Sequence, residues 1–470
     1  MRTSRREFLG SLAAGAVAGP ALDRKPNIVL ILLDDLGYGD VGPYGQKMIR
    51  TPNIDRLAQQ GKLFTDCYAG GAVCAPSRSA LMTGFHTGHC SVRANAGTIP
   101  IPPEDVTVAE VLKSVGYKSG LFGKWGLGDA GSTGVPTKQG FDEYFGYLHQ
   151  IHAHSYYPEY LWKNDQRFPL EGNRDQKRQQ YSADLIAEQS FQFIRKHRSE
   201  PFFLYAAYTL PHGRHEVPSD APYSGRDWPQ GEKNYAAMIT RADGYIGTIL
   251  RLLGELGLDE KTVLFFSSDN GAVTGDGHDI RFFNSNGPLR GQKGQLYEGG
   301  IRVPMIVRWP GKIAPGAVSD LAWAFWDFLP TVAELAGVEA PRGLDGISVA
   351  PDLLGRSQRK HEFLYWEQHR FDQKTQKLRE EAMVQAVRMG QWKAVRLRPG
   401  APLELHNLRE DIGESTNLAA DHPEVIARIE AYLKTARTAP RPHDTGSFEI
   451  RGQATTFGPE APPALVSHPA

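Results

Sequence analysis

Short apolar runs rich in β-branched residues alternate along this chain with longer segments whose apolar positions recur at helical spacing. Asn27 to Leu33, Ser119 to Phe122, Phe202 to Tyr208 and Thr262 to Ser267 have the length and composition of buried strands. Between them, Val106 to Val115, Ser182 to His197 and Tyr235 to Leu256 carry the periodicity of amphipathic helices. Strands alternating with helices predict an α/β fold on a large, doubly wound, mainly parallel sheet. Such sheets bind ligands beyond the carboxyl ends of their strands. Each of the four runs stops at chemistry, since Asp34-Asp35, Gly123-Lys124, His212 and Asp269-Asn270 follow them in turn. Carboxylates, an amide, a lysine and a histidine offered by four strand ends predict one assembled site.

The pattern changes after Leu354. A polar stretch at Ser357-Gln358-Arg359-Lys360 precedes strand-like pieces at Phe363 to Trp366, Ala382 to Val387 and Trp392 to Leu397, after which Leu403 to Leu408 leads into an acidic turn and a last helix near Pro423 to Thr435. These predict a smaller C-terminal α+β domain over 356–440, after an α/β domain over 22–355. Residues 441–470 are rich in Pro, Gly, Thr and Ala and read as a tail with little to bury.

Residues 1–21 read as a leader. Thr3-Ser4-Arg5-Arg6-Glu7-Phe8-Leu9 carries paired arginines ahead of an Ala/Gly-rich apolar run from Phe8 to Ala18, which is too short to span a bilayer. It resembles a twin-arginine export signal with Ala16-Val17-Ala18 as a candidate cleavage site, so the expected location is exported, periplasmic or secreted. No later run reaches ~18 uncharged apolar residues, so no membrane span is expected.

Composition narrows the partners. Lys plus Arg equals Asp plus Glu at 53 each, which removes the electrostatic argument for nucleic acid or a membrane surface. A basic site must therefore be local. The three cysteines, Cys67, Cys74 and Cys90, allow at most one bridge, Cys67 to Cys90, and lack the spacing of zinc ligands.

Cys74-Ala75-Pro76-Ser77-Arg78 places a thiol at a helix start, among unsatisfied backbone N–H groups and one turn from a cation. That predicts a reactive position where anions dock. Asp34, Asp35, Asp269 and Asn270 supply hard oxygen ligands, suited to calcium with magnesium as the alternative. Paired carboxylates repel unless a cation neutralises them.

Cys74 to Arg78, followed by Leu81-Met82-Thr83-Gly84, resembles the Cys-x-Pro-Ser-Arg core and Leu-x-Thr-Gly element of the type I, formylglycine-dependent sulfatases. Gly123-Lys124-Trp125-Gly126-Leu127-Gly128 resembles that family's Gly-Lys-Trp-His-Leu-Gly. Pro211-His212, Lys293-Gly294, Tyr297-Glu298-Gly299-Gly300 and Arg302-Val303-Pro304 follow further family elements. The resemblance implies an alkaline-phosphatase/sulfatase-like sheet and a sulfuric ester hydrolase. It implies that a maturation enzyme oxidises Cys74 to formylglycine, whose hydrate attacks the sulfur of a sulfate monoester. Arg78, Lys124 and Lys293 would neutralise the transferring group, and His212 would protonate the leaving oxygen. Export and the aromatic, histidine-rich loops favour a sulfated carbohydrate as substrate. A phosphoesterase or phosphonate-ester hydrolase on the same fold, and a non-catalytic sulfated-glycan-binding protein that keeps the thiol, are the competing readings.

One position departs from the family pattern. Gly126 stands where the family has histidine, and His149, His152 and His154 crowd a segment downstream. His152 or His154 is expected to fill the space at Gly126 or to contact substrate there.

Overall fold

The computed structural model describes residues 25–95, 99–372, 374–375 and 377–441. The leader expected over 1–21 and the tail beyond Arg441 lie outside the described residues. The strands are β1 (Asn27–Asp34), β2 (Lys62–Phe64), β3 (Cys67–Tyr68), β4 (Lys118–Lys124), β5 (Glu143–Tyr147), β6 (Tyr160–Lys163), β7 (Gln166–Pro169) and β8 (Phe202–Pro211). They continue with β9 (Thr262–Ser268), β10 (Met305–Arg308), β11 (Ala317–Ser319), β12 (Trp323–Ala324), β13 (Leu364–Asp372), β14 (Lys377–Met389), β15 (Trp392–Arg396) and β16 (Glu404–Asn407).

Ten strands form one sheet in the order β11-β2-β10-β9-β1-β8-β4-β5-β6-β7. From β9 through β1, β8 and β4 to β5 every pairing is parallel. β10 runs antiparallel to β9 on one flank, and β6 and β7 reverse direction on the other. The sheet is therefore mixed but mostly parallel, with the parallel part at its centre.

β1 shows why this region was readable. All of Asn27–Asp34 is buried. Ile28, Leu30 and Leu32 enter the core on one face of the sheet, and Val29, Ile31 and Leu33 enter the core on the other. A strand covered on both faces has no polar alternation and reads as one apolar run. Register pairs Leu33 with Ser268, Asp34 with Pro211 and Gly123 with Ala207. The carboxyl ends of four neighbouring parallel strands thus finish along one edge.

β13 to β16 form a separate antiparallel sheet. The helix Pro423–Leu433 packs on it through Val425, Ile429 and Leu433. Its other side covers the helix Cys74–Thr83, every residue of which is buried. Trp366 donates its indole N–H to the Ala69 carbonyl at 2.9 Å, and Ala72 and Ala80 share a cluster with Trp326 and Trp366. That cover is what keeps a helix of small and polar residues dry.

The bridge considered between Cys67 and Cys90 is not formed. All three cysteines are free and buried, and Cys90 Sγ lies 3.0 Å from the Val92 carbonyl. Among the described residues no helix is long and apolar enough to cross a membrane.

Candidate active site

The carboxyl end of β1 turns sharply. Asp35 has a φ of 62°, a left-handed conformation that Asp adopts more readily than a branched residue. The turn leaves carboxylate atoms of both Asp34 and Asp35 within 4.8 Å of each other, of Cys74 Sγ and of a His212 ring nitrogen. The end of β9 is stitched to it, because the Asp35 N–H donates to Asp269 Oδ1 at 3.2 Å and the Leu36 N–H to Ser268 Oγ at 3.0 Å. Asn270 Nδ2 donates to Asp35 Oδ1 at 2.7 Å and to the Gly271 carbonyl at 2.9 Å. Both of its donor hydrogens are thereby committed.

Three cations answer the three carboxylates. Arg78 donates through Nε and Nη2 to Asp269 Oδ2 at 3.0 and 2.8 Å, and through Nη1 to the Lys124 carbonyl at 2.7 Å. Lys124 Nζ lies 2.7 Å from Asp34 Oδ2, and Lys293 Nζ lies 2.7 Å from Asp35 Oδ2. Burial by itself raises the Asp34 carboxyl, but Lys124, His212, Arg78 and Lys293 together hold it well below the usual range. Asp269 goes the other way, pushed up to about 6 by burial and by Asp34 against the pull of Arg78 and Lys124. Among the described residues one buried oxygen of the set, Asn270 Oδ1, lacks a hydrogen-bond partner, whereas Asp34 Oδ2 is met by Lys124. A buried acceptor is rarely left so, and this one belongs to the expected metal-ligand set.

The thiol itself departs from expectation. Burial, Asp269 and Asp34 raise its pKa, outweighing Lys124 and Lys293, and Sγ sits 3.4 Å from Asp34 Oδ1 as a donor. Cys74 is at the helix start, but Arg78 serves Asp269 and a carbonyl rather than the sulfur. An unmodified Cys74 is a protonated thiol among carboxylates, a poor nucleophile.

His212 follows β8, and its backbone carbonyl, with that of Thr209, lies within hydrogen-bonding distance of the Tyr156 hydroxyl, 2.8 and 2.7 Å away. Its Nδ1 is 2.5 Å from the Gly213 carbonyl, which can only accept. The neutral ring therefore carries its proton on Nδ1 and presents the Nε2 lone pair, 3.5 Å from Asp35 Oδ2. Burial pushes the ring down to about 4, against Asp34 and Asp35.

The two downstream histidines part company. His154 stands edge-on to His212, with ring centroids 4.4 Å apart, and burial and His212 push it down to about 2. His152 instead enters an aromatic pocket, 5.0 Å from the Tyr147 ring and 4.7 Å from that of Tyr160. Both lie on one short 3₁₀ turn, His152–His154, in which residues two apart point in different directions. Neither fills the space at Gly126. A Cβ there would lie 2.1 Å from Gln150 Nε2, so the Gln150 amide occupies it, and Gly126 has a φ of +77°. The expectation for that space is corrected accordingly. Gly126 itself signalled a volume to be filled, but spacing alone could not rank Gln150 above its histidine neighbours.

The assembled edge can be set beside known proteins. A family model described as "Sulfatase" matches residues 26–338, and one described as "N-sulphoglucosamine sulphohydrolase, C-terminal" matches residues 292–439. The chain belongs to the sulfatase family. It is a sulfuric ester hydrolase. Human arylsulfatase A is 34% identical over 89% of each chain. Rat N-acetylgalactosamine-6-sulfatase is 36% identical over 74% of this chain and 68% of its own. Among solved structures, Ps i-CgsB in complex with k-i-k-neocarrahexaose matches with a TM-score of 0.78 and 29% identity, covering 92% of this chain and 96% of that one. Within the sulfatase fold, Cys74, Arg78, Lys124, His212, Lys293, Asp34, Asp35, Asp269, Asn270 and His154 come together at the sheet edge, and His152 stands apart.

Proposed function

We propose that this sulfatase acts on sulfate monoesters of carbohydrates and that residue 74, matured to formylglycine, is its nucleophile. The observation that carries the reading is the position of Cys74, in reach of two carboxylates and His212 and ringed by Arg78, Lys124 and Lys293. A thiol held protonated has no evident use there. A hydrated aldehyde supplies a hydroxyl nucleophile and a second hydroxyl through which sulfate can be expelled, and the sulfur of Cys74 stands in for that oxygen.

Asp34, Asp35, Asp269 and Asn270 would hold a divalent cation, calcium by ligand type with magnesium as the alternative, which would supply positive charge for a bound anion. Asn270 Oδ1, buried and unpartnered among the described residues, supports that fit, as does the closeness of the Asp34 and Asp35 carboxylates. Lys124 and Lys293 are buried and protonated, and their fixed ammonium groups suit sulfate oxygens in a site that needs little reorganisation. Arg78 locks Asp269 and the Lys124 backbone in place. His212 is neutral before substrate enters, and a nearby anion raises its proton affinity. Its Nε2 then holds the proton that the departing alkoxide takes. His154, packed on that ring, contributes to the same wall and is a candidate substrate contact.

The relatives N-acetylgalactosamine-6-sulfatase and Ps i-CgsB, the latter in complex with k-i-k-neocarrahexaose, support a sugar substrate. The leader over 1–21 supports twin-arginine export to the periplasm or beyond, and a maturation enzyme is the partner that residue 74 requires. The balanced charge gives no support to a nucleic-acid partner. The test is to produce the chain with a formylglycine-generating enzyme, determine the mass of the peptide carrying residue 74, and compare sulfated oligosaccharides with matched phosphorylated ones. Turnover of the sulfates in proportion to the aldehyde fraction is expected. Full activity with an intact thiol, or faster turnover of the phosphates, would overturn the reading.

A further inference from the structure

The loop that carries Lys293 is held at both ends by one residue of the C-terminal domain, Glu414. At its far end the Glu298 N–H donates to Glu414 Oε2 at 2.7 Å. At its near end Arg290 Nη1 donates to the backbone carbonyl of the same residue, Glu414, at 2.7 Å. The Arg290 guanidinium lies over the Tyr297 ring, 3.8 Å from its centroid, and the Tyr297 hydroxyl donates to Glu404 Oε2 at 2.8 Å. Lys393 Nζ, on β15, sits 2.8 Å from Glu298 Oε1 and 3.2 Å from Glu414 Oε1, with all three side chains fully buried. Glu414 makes this double hold with a φ of 52°, an uncommon conformation for a non-glycine residue that persists only where its surroundings enforce it.

We infer that Glu414, supported by Lys393, is a positioning residue for Lys293, so that the C-terminal sheet sets the geometry of the ammonium group that faces the transferring sulfate. Inside the loop the Lys293 N–H donates to the Ala272 carbonyl at 3.0 Å and the Gly294 N–H to the Ala72 carbonyl at 2.8 Å, with Gln292 and Asn286 adding side-chain links to the neighbouring passage. Gly291 and Gly294 both take positive φ, so the segment has little stiffness of its own. Removing the Glu414 carboxylate unties the Glu298 end and leaves Lys393 without one of its two partners, while Arg290 keeps its backbone acceptor. The freed end would let Nζ drift, and small misplacements of a positioned group are costly in turnover. The inference rests on the reading of Lys293 as a sulfate-binding residue.

The test is a cycle on one small aryl sulfate with Glu414→Ala, Glu414→Gln, Lys293→Ala and the double variant Glu414→Ala/Lys293→Ala. Glu414→Ala should lower kcat/KM by roughly 10- to 100-fold, chiefly through kcat, since a misplaced Lys293 is felt most in the transition state. Glu414→Gln keeps an oxygen for the Glu298 N–H and should stay within about 3-fold of wild type. In the Lys293→Ala background the Glu414→Ala change should cost little, because the group it positions is gone. An equal loss in both backgrounds would mean a merely structural residue and would overturn the inference while leaving Lys293 in its role. Unchanged turnover in Lys293→Ala would overturn the underlying reading and the inference together. If Glu414→Ala does not fold, Arg290→Gln unties the near end alone and runs through the same cycle: a loss confined to the Lys293 background supports the inference, and an equal loss in both overturns it.

Discussion

Asn270→Asp tests the ion cluster at its tightest point. The substitution puts an oxygen where Nδ2 now donates to Asp35 Oδ1 at 2.7 Å, adding a fourth carboxylate to three that are matched by three cations. Two unit charges at that separation repel by about 6 kcal/mol at an effective dielectric constant of 20. The protein will not bear the whole of that, because one carboxyl can take a proton instead. Protonating an acid of ordinary pKa at pH 7 costs about 4 kcal/mol, so the repulsion is capped near that value, and near about 1.5 kcal/mol at pH 5. At least one of the two hydrogen bonds that Nδ2 donates, to Asp35 and to the Gly271 carbonyl, is lost in either case, at about 1 kcal/mol. Urea denaturation in chelator should show the variant less stable by about 4–5 kcal/mol at pH 7 and about 2–3 kcal/mol at pH 5. Calcium in excess should shrink the loss at pH 7, since a cation coordinated by Asp35 and residue 270 turns the added charge into a ligand. A variant as stable as wild type in chelator would show that Asn270 does not press on Asp35, and a loss unmoved by calcium would show that no cation binds between them.

Gly126→Ala places its Cβ 2.1 Å from the flexible end of Gln150 at a φ of +77° and should cost about 2 kcal/mol, of which a Gly126→Ala/Gln150→Ala double variant recovers only the steric part and not the backbone strain, whereas Gly123→Ala meets the Ala207 backbone carbonyl at 1.8 Å, forces β4 from β8 and should cost about 3 kcal/mol or more. Equal urea midpoints for the two would contradict that contrast. Asp243 accepts from the Asn53 and Ile54 N–H groups, yet burial pushes its carboxyl up to about 6. Its raised folded-state pKa penalises the ionised form, so wild type should gain on the order of 2 kcal/mol relative to Asp243→Asn as pH falls from 7 to 4, and a pH-independent gap in midpoint would refute the assignment. Exhaustive chelation should abolish turnover yet leave the chain folded, because the carboxylates keep their counter-ions; readdition of calcium at about a thousand times its Kd should raise stability by about 4 kcal/mol, and a melting temperature indifferent to calcium would count against the metal site.

Legibility in the sequence followed length and burial. β1, β8 and β9 are long enough, and buried enough on both faces, to announce themselves as apolar runs, and their polar successors pointed at the site edge. β2, β10 and β11 span three or four residues and exist because neighbours supply their pairing, so no local pattern marks them. The antiparallel setting of β10 beside β9 likewise leaves no mark in its own four residues. At the site, Cys74, Arg78, Lys124 and Lys293 stood in contiguous motifs. Gln150, Lys393 and Glu414 are single residues whose meaning lies in contacts across more than twenty positions of chain, and periodicity carries none of that.

Charge balance explains why the cluster has this composition. Lys124 and Lys293 now neutralise Asp34 and Asp35 at 2.7 Å, so neither ammonium is fully available to an anion. A buried ion pair that loses one partner is costly, which prevents the lysines from simply turning away. The proposed divalent cation on the carboxylates would free the lysines to face an anion, satisfying three buried carboxylates and an incoming sulfate at once. The protonated thiol follows from the same balance: in a site this rich in carboxylate, the nucleophile proposed at position 74 would have to work without carrying a negative charge of its own beforehand.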